Sequence, residues 1–580
     1  MYDREPYIPV SSDSDQCRKG WEAIGHLLRE FLTWDRRVAC VECYPGVFVD
    51  DVRDRMTAIF TPSLIISTEN LFLSPTELDR RIASMLTDDP VFGVMSGMQI
   101  EDYFDPEQLR LARRQVDRTT EGKILVVGTG AACVAPQRDV LIYADLARWE
   151  IQKRQRRGEI GNLGADNCDE LPSQKYKRAF FLDWRAADRG KQKLLPYIDF
   201  LLDTNTPEYP KLITGTAMWA GLRVAAQRPF RVVPFFDPGP WGGHWMEQAF
   251  DLPRDVPNYA WCFDCVPEEN SLLLGFGSER VEIPSINLVF AQPRELLGDY
   301  IYERFGADFP IRFDLLDTVG GGNLSLQVHP LTSYVRERFG LAYTQDESYY
   351  LLDADKDACV YLGLREGVRP GAMLADLTRA QDRGTEFDAE RYVSKWPAKK
   401  HDHFLIPAGT VHCSGHGSMV LEISATPFIF TFKLWDWGRL GMNGQPRPIH
   451  LQRGAENIQW DRTTTWVQSS LINRVEEISA GDGWREERTG LHELEFIETR
   501  RHWFTGTVPH DTNGTVNVLN LVEGDEVVVE SPTSAFEPFV VHYAETFIVP
   551  ARVGAYTVRP HGKAQGTQCA TMKAFVRQGD

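Results

Sequence analysis

The stretch Asn323-Leu-Ser-Leu-Gln-Val-His-Pro330 decides how the chain is read. As a strand it puts Ser325, Gln327 and His329 on one face and Leu324, Leu326 and Val328 on the other, because side chains alternate along an extended backbone. Buried polar groups are costly without partners, so a polar face turned into a small barrel marks a site. Glu347 follows 18 residues later in the strand-like run Thr344-Gln-Asp-Glu-Ser-Tyr-Tyr-Leu-Leu-Asp353. His412 stands just past the Pro/Gly turn of Phe404-Leu-Ile-Pro-Ala-Gly-Thr-Val-His-Cys413. Two imidazoles, a carboxylate and an amide oxygen make a donor set for zinc or another borderline divalent ion. A single carboxylate leaves such a complex net positive, able to polarise a carbonyl or hydroxyl. The glutamine sets it apart from the bare His-His-carboxylate triad of iron oxygenases.

Around this site the texture is β. From about residue 226 short strands alternate with Gly/Pro turns, as in Pro229-Phe-Arg-Val-Val-Pro-Phe-Phe-Asp-Pro-Gly-Pro-Trp-Gly-Gly243, and strand texture runs again from Phe404 to Arg439. A charge-rich insert at about 365–400 reads as two helices, Ala372 to Arg383 and Glu386 to Ser394. A last strand-rich block covers roughly 456–580. Many short strands with turn signals predict jelly-roll barrels. The first 225 residues differ, alternating strand and helix: Arg37 to Cys43, Leu64 to Thr68, Glu121 to Gly130 and Asp139 to Asp145 are strands, and Asp50 to Met56 is helical. That alternation predicts a mostly parallel α/β sheet. The expected fold is thus a multidomain α/β plus β chain, divided into 1–225, 226–455 with the insert, and 456–580.

Composition bounds the rest. A chain of 580 residues holds about three or four domains. With 43% hydrophobic and 25% charged residues it is ordinary globular material. Lys and Arg number 63 against 82 Asp and Glu, a net charge of −19, which speaks against a nucleic-acid or anionic-membrane surface but not against a small cationic pocket. The start lacks the apolar core of a secretory signal and no run of about 18 apolar residues occurs, so a cytoplasmic location is expected. Ten cysteines are too sparse for a disulfide scaffold. Cys40/Cys43 and Cys262/Cys265 have C-x-x-C spacing but lie in strand-like runs, which predicts free buried thiols.

The N-terminal segment resembles the P-loop nucleoside-kinase group in the order and spacing of its elements over roughly 190 residues. Residues 37–56 lie where such a kinase carries its phosphate loop, and Asp145 to Arg157 resembles a basic lid helix. No G-x-x-x-x-G-K-[ST] string occurs, however. Tyr44-Pro-Gly-Val-Phe-Val49 takes its place, followed by Asp50 and Asp51 where phosphate should sit. The resemblance therefore implies a kinase-like scaffold or ligand sensor without phosphoryl transfer.

From Trp241 onward the chain resembles the type I mannose-6-phosphate isomerases, zinc-dependent cupin enzymes. The landmarks fall in the family's order: Pro240-Trp-Gly-Gly243, Ala260-Trp261, Pro267-Glu-Glu-Asn-Ser271, Phe309-Pro310, Leu315-Leu-Asp317, Leu326-Gln-Val-His-Pro330, Glu347-Ser-Tyr-Tyr, Ile406-Pro-Ala-Gly-Thr-Val-His412, Leu421-Glu422 and Trp435-Asp-Trp-Gly-Arg439. The final block, with Phe547-Ile-Val-Pro-Ala, resembles the family's second, metal-free cupin. The resemblance implies Gln327, His329, Glu347 and His412 as ligands of one Zn2+ per chain. It implies Arg439 and Lys433 as cations near the reacting end of a sugar or sugar phosphate, and Glu422 as a proton-transfer or hydrogen-bonding carboxylate. The implied reaction interconverts mannose 6-phosphate and fructose 6-phosphate through an enediolate.

Three departures bear on the phosphate. Gln345 replaces a family lysine, Asp314 another, and Pro427-Phe-Ile-Phe-Thr431 replaces a Ser-Asp-x-Thr segment in a loop one residue longer. Lost cations weigh against a phosphate more than against the metal or the sugar chemistry. An unphosphorylated or differently substituted hexose is thus the close alternative. A catalytically silent sugar- or nucleotide-responsive binding protein is the alternative from another class. Among other histidines, His401 and His403 read as a solvated turn, with H-x-H metal binding the minor alternative, and His244 reads equally as a group that could reach a sugar hydroxyl or as an aromatic-packed surface histidine.

Overall fold

The computed structural model describes residues 1–33, 36–425, 430–442, 444, 447–490 and 492–578. The chain divides into two compact units, Tyr7–Ala225 with Ser271–Gln292, and Met1–Pro6 with Ala226–Asn270 and Pro293–Asp580. Ser271–Gln292, which in sequence lies inside the 226–455 segment, thus belongs to the N-terminal unit. Its strand Ser271–Phe276 pairs in parallel with Tyr7–Ser11 and antiparallel with Glu279–Pro284. The hairpin buries Leu272, Leu274 and Phe276 completely. Such alternation specifies an apolar face but not the core on which the face docks.

The N-terminal unit is built on a seven-stranded sheet. Its order is Cys17–Lys19, Lys211–Thr214, Phe200–Asp203, Val140–Asp145, Val38–Cys43, Ile124–Gly128, Leu64–Ser67. The last five are mutually parallel, and Lys211–Thr214 runs antiparallel to its neighbours. The central runs are buried along their length, as parallel strands covered on both faces must be. Strand order reverses at Val38–Cys43, the topological position where open α/β sheets bind ligands. A cavity of about 850 Å³ opens there, lined among others by Gly46, Asp51, Glu69, Thr129 and Asp166.

The groups expected to meet a phosphate are spent inside the protein. Arg148 and Arg154, on the helix Arg148–Arg156, are buried rather than displayed as a lid. Arg154 donates to the carbonyls of Gly46 at 2.9 Å and Thr204 at 2.8 Å. Arg148 donates to Tyr44 Oη at 3.1 Å and faces Asp188 at 3.3 Å. Gly46 has φ +111°, and a Cβ there would come within 2.9 Å of Ile151, so the loop and this helix are closed on each other. The Glu42 carboxylate accepts the backbone N–H groups of Gly130 at 2.6 Å and Ala132 at 2.8 Å, filling with the chain's own charge a nest suited to an anion.

The second unit opens with two antiparallel sheets. One has the order His403–Ile406, Asp346–Ala354, Ser418–Ala425, Arg312–Asp317, Trp261–Cys265, Phe235–Asp237. The other has the order Val393–Pro397, Cys359–Leu364, His412–Ser414, Leu326–Val328, Phe432–Trp435. The insert contains the helix Pro370–Arg383, but the second expected helix, Glu386 to Ser394, does not form. A 3₁₀ turn at Ala389–Arg391 leads instead into the strand Val393–Pro397. Phe387, Tyr392 and Val393 are buried there, and aromatic and β-branched side chains pack better on a sheet than in a short helix.

The C-terminal part forms a six-stranded and a four-stranded sheet around an apolar cluster that includes Phe504, Leu519, Leu521, Val527, Phe547 and Val558. Cys40, Cys43, Cys262 and Cys265 are buried free thiols within strands. Among the described residues no helix is long and apolar enough to cross a membrane.

Candidate metal centre

Register brings the polar side chains together. Across one sheet Leu362, His412, Gln327 and Lys433 lie in a single row of cross-strand partners. Across the other, Arg312, Ser424 and Glu347 form one row, and Asp314, Glu422 and Tyr349 the row two residues along. Directly opposed residues share a face, so each sheet contributes one polar band.

Where the bands meet, Glu347 Oε2 lies 3.0 Å from His329 Nε2 and Glu347 Oε1 lies 2.9 Å from His412 Nε2. The candidate ligand atoms of these three residues all lie within 4.8 Å of one another, and the side chains have no exposure. His329 Nδ1 is 2.8 Å from the Phe430 carbonyl and His412 Nδ1 is 2.8 Å from the Thr410 carbonyl. A carbonyl only accepts, so each Nδ1 carries the hydrogen and each Nε2 turns a lone pair toward the carboxylate. His329 Nε2 and Glu347 Oε1 have no hydrogen-bond partner. Three buried donors converging on one point could hold a cation, and this N,N,O set with carbonyl-oriented imidazoles fits a zinc-like ion. Burial pushes the Glu347 carboxyl up, but the two imidazoles more than offset it and hold it below the usual range. Burial lowers His329, yet Glu347 raises it above its ordinary value, whereas burial leaves His412 lowered. A proton on His329 is therefore the metal's competitor, and metal affinity should fall as pH falls.

Gln327 stands beside the cluster with its amide nitrogen 3.2 Å from His412 Nε2 and its oxygen accepting from Ser325 Oγ at 3.0 Å. It thus presents its NH2 group; turning the amide end for end would present the oxygen. Gln345 Nε2 donates to Glu347 Oε2 at 3.0 Å and Glu422 Oε1 at 3.4 Å, and Gln345 Oε1 accepts from Phe430 N at 3.0 Å. The residue that replaces a family lysine is therefore a neutral bridge between two carboxylates. Burial, reinforced by Glu347 and Asp314, pushes Glu422 well above the carboxylate range. Burial pushes Asp314 up to about 6 against the opposing Arg312, whose Nη2 lies 3.1 Å away.

The cationic side holds one residue the sequence reading did not single out, Arg447. Asp436 Oδ1 accepts from Arg439 Nη2 at 2.9 Å, and Asp436 Oδ2 faces Arg447 Nη1 at 3.0 Å. Arg447 lies beyond the Trp-Asp-Trp-Gly-Arg run in a Gly/Pro-rich loop, and only its charge in that loop could have marked it. Arg439, Arg447 and Asp436 together sum to a charge of about +1, and Lys433 adds to it only when protonated. Part of the replacement segment read at Pro427 to Thr431 lies outside the described residues.

Burial, then Arg447, pushes the Lys433 ammonium down to about 7. Between pH 7 and about 10 the unfolded chain holds a proton that the folded chain has released, so free protein gains stability with rising pH in that window. Anion binding has the opposite sign, because it needs the charged lysine. Affinity for inorganic phosphate should therefore fall, by up to about tenfold per pH unit above 7. Calorimetric titration from about pH 8 to 10, where inorganic phosphate is already a dianion, should show this fall in the native chain and a flat profile in Lys433→Arg. A flat native profile would remove Lys433 from the anion site.

His401, His403 and His244 have structural partners. His401 bonds Tyr350 Oη at 2.9 Å and Glu523 at 3.1 Å, and buried His403 bonds the Thr489 carbonyl at 3.1 Å, so the pair is neither a solvated turn nor a metal cluster. His244 is exposed and pairs with Glu247 at 3.2 Å.

Comparison with known proteins gives two kinds of match. Residues 20–227 match the family described as "Domain of unknown function (DUF8485)". The mannose-6-phosphate isomerase of Streptococcus mutans is 26% identical over 218 residues, 37% of this chain; the chain spans 63% of that relative's length. The mannose-6-phosphate isomerase ManA of Bacillus subtilis is 26% identical over 237 residues, covering 40% of this chain and 68% of the relative. A crystal structure of the Bacillus subtilis mannose 6-phosphate isomerase superposes with a TM-score of 0.48 at 19% identity, over 60% of this chain and 99% of that one. The chain is thus similar over residues 20–227 to a domain family of unknown function, and over about two fifths of its length to named isomerases.

Proposed function

We propose that this protein is a zinc-dependent aldose–ketose isomerase acting on a hexose 6-phosphate, with mannose 6-phosphate and fructose 6-phosphate as the leading pair. The observation that carries the reading is the buried convergence of His329 Nε2, His412 Nε2 and the Glu347 carboxylate, in which His329 Nε2 and Glu347 Oε1 have no hydrogen-bond partner. Curated relatives named as mannose-6-phosphate isomerases support it. Within the second unit we assign residues 226–455, apart from Ser271–Gln292, to a metal-bearing cupin and 456–580 to a second, metal-free cupin.

His329, His412, Glu347 and, with its amide turned, Gln327 would hold the metal, whose Lewis acidity would make the hydrogen beside the sugar carbonyl more acidic. The isomerisation moves one proton from C2 to C1 and another from O2 to O1, with no net gain or loss of atoms or electrons. The chain must therefore take and return protons. Glu422, kept protonated by burial beside Glu347 and Asp314, is the candidate to exchange one at its carboxyl oxygen. Lys433 and Arg439, expected from the family resemblance near the reacting carbons, are joined by Arg447. Their combined charge favours a phosphate dianion and supports the phosphorylated substrate over the free hexose.

Metal analysis of the purified protein tests the proposal together with an isomerase assay. About one zinc per chain is expected. Turnover of mannose 6-phosphate should fall at least about a hundredfold with chelator, about 2.7 kcal/mol in barrier, and return on adding zinc. Mannose should be turned over far more slowly. Metal-free protein whose activity ignores chelator would overturn the reading.

A further inference from the structure

We propose that the C-terminal barrel, residues 476–578, carries a second ligand site for a neutral monosaccharide, separate from the metal centre. The inner face of Ile497–Phe504 presents Glu498, Arg500, His502 and Phe504, and that of Cys569–Val576 presents Cys569, Thr571, Lys573 and Phe575. Phe504 and Cys569 belong to the apolar cluster, so the interior passes from a dry end to a polar one. The polar end opens into a cavity of about 800 Å³ whose wall includes Arg500, Asn517, Lys573 and Phe575. This is within the size range of small-molecule sites.

Joined to that wall through Glu486 and Asn517 are buried polar groups with atoms that the protein leaves without partners. His510 is 7% exposed and neither of its ring nitrogens has a hydrogen bond. His502, 2% exposed, has a free Nδ1 and sets its Nε2 3.1 Å from Glu486; the hydroxyl of fully buried Thr571 is also unpartnered. The two imidazoles are 4.4 Å apart between ring centres, and His510 stacks on Tyr556 at 4.9 Å. Tyr556 in turn donates to Asn517 of the cavity wall at 3.1 Å. Buried polar atoms in native proteins are nearly always satisfied, so a connected group of orphans joined to a cavity wall marks something that enters it.

Charge and shape select the class. Arg500 lies 2.6 Å from Glu498 and 3.0 Å from Glu486, and Lys573 lies 3.8 Å from Glu486, so these two cations and two carboxylates cancel. Over the whole lining, Arg304, Arg488 and Arg577 add to these two cations while four acidic side chains oppose them, so the wall is close to balanced and an ion gains little net attraction. Burial pushes His502 down to about 4 and His510 well below its ordinary value, so each is a neutral ring with one donor and one acceptor. Such groups suit hydroxyls, which both donate and accept. Half-buried Tyr300, Phe496 and Phe575 add apolar surface for the C–H face of a sugar ring.

The test is binding of D-mannose and D-fructose to the full-length chain by saturation-transfer NMR and calorimetry, with chelator present so that the metal centre is idle. Millimolar binding of at least one hexose is expected, unaffected by inorganic phosphate and weakened at least tenfold in His510→Phe and in Lys573→Met. Both variants should keep native isomerase turnover. If His510→Phe does not fold, Lys573→Met alone decides. Absence of binding at tens of millimolar sugar, displacement by phosphate, or undiminished affinity in Lys573→Met would each overturn the site. Failure here leaves the isomerase reading untouched, because the two tests share neither residues nor readout.

Discussion

His329→Ala should yield protein that holds no stoichiometric zinc and has lost at least about a thousandfold in kcat/KM, about 4 kcal/mol of transition-state stabilisation. The loss follows from geometry. His329 is one of three side chains whose donor atoms lie within 4.8 Å of one another in a fully buried setting. Without its imidazole, Glu347 faces only one histidine, His412 at 2.9 Å, and a carboxylate and one imidazole with the weak amide oxygen of Gln327 are too poor a donor set to hold zinc stoichiometrically. The variant should also lose the metal's contribution to stability, since a ligand that binds only the folded state stabilises by mass action. Chelator should thus lower the melting temperature of the native chain and leave that of His329→Ala unchanged. Metal analysis, kinetics and thermal melts with and without chelator read these effects independently. Normal metal content, or native turnover in the variant, would refute the centre.

The largest effect on stability belongs to the N-terminal unit. Lys191 Nζ lies 2.9 Å and 3.0 Å from the two Asp145 oxygens and 3.1 Å from Asn287 Oδ1, with lysine and aspartate side chains each 1% exposed. Asn287 also donates to Asp145 at 2.9 Å, so the group closes on itself. Lys191→Met leaves a buried carboxylate without its counter-charge and should cost about 3–5 kcal/mol, read as a shift in denaturant unfolding. Adding Asp145→Asn should recover a large part, because removing a buried pair together costs less than breaking it. Metal content should not change in either. A loss below about 1 kcal/mol in Lys191→Met would mean that this network does not hold the unit together.

Much of the site could be read from short stretches. Alternation alone puts Ser325, Gln327 and His329 on one side of an extended segment, and Ser325 does bond Gln327. The alternation of strand and helix before residue 225 predicts the parallel sheet found there. Local reading fails where two outcomes share one pattern. Glu386 to Ser394 is charged enough for a helix, yet Tyr392 and Val393 find an adjacent strand edge to bury against. The cationic helix after Asp145 looks like a phosphate-binding lid, yet Arg148 and Arg154 find carbonyls and Asp188 inside the protein.

The amino-acid sequence by itself determined the donor types at Gln327, His329, Glu347 and His412, the missing phosphate loop, and the two textures of the chain. These depend on residue identity and on backbone periods of two or 3.6 residues, which neighbours along the chain enforce. Only the tertiary structure decided that Glu347 meets two imidazoles, that the Phe430 and Thr410 carbonyls turn both Nε2 lone pairs inward, and that Arg447 joins Arg439 on Asp436. It alone docks Ser271–Gln292 on the N-terminal core and leaves buried His510 without a hydrogen-bond partner. Contacts of this kind join residues far apart in sequence and are selected by the packing of whole sheets, so no local pattern carries them.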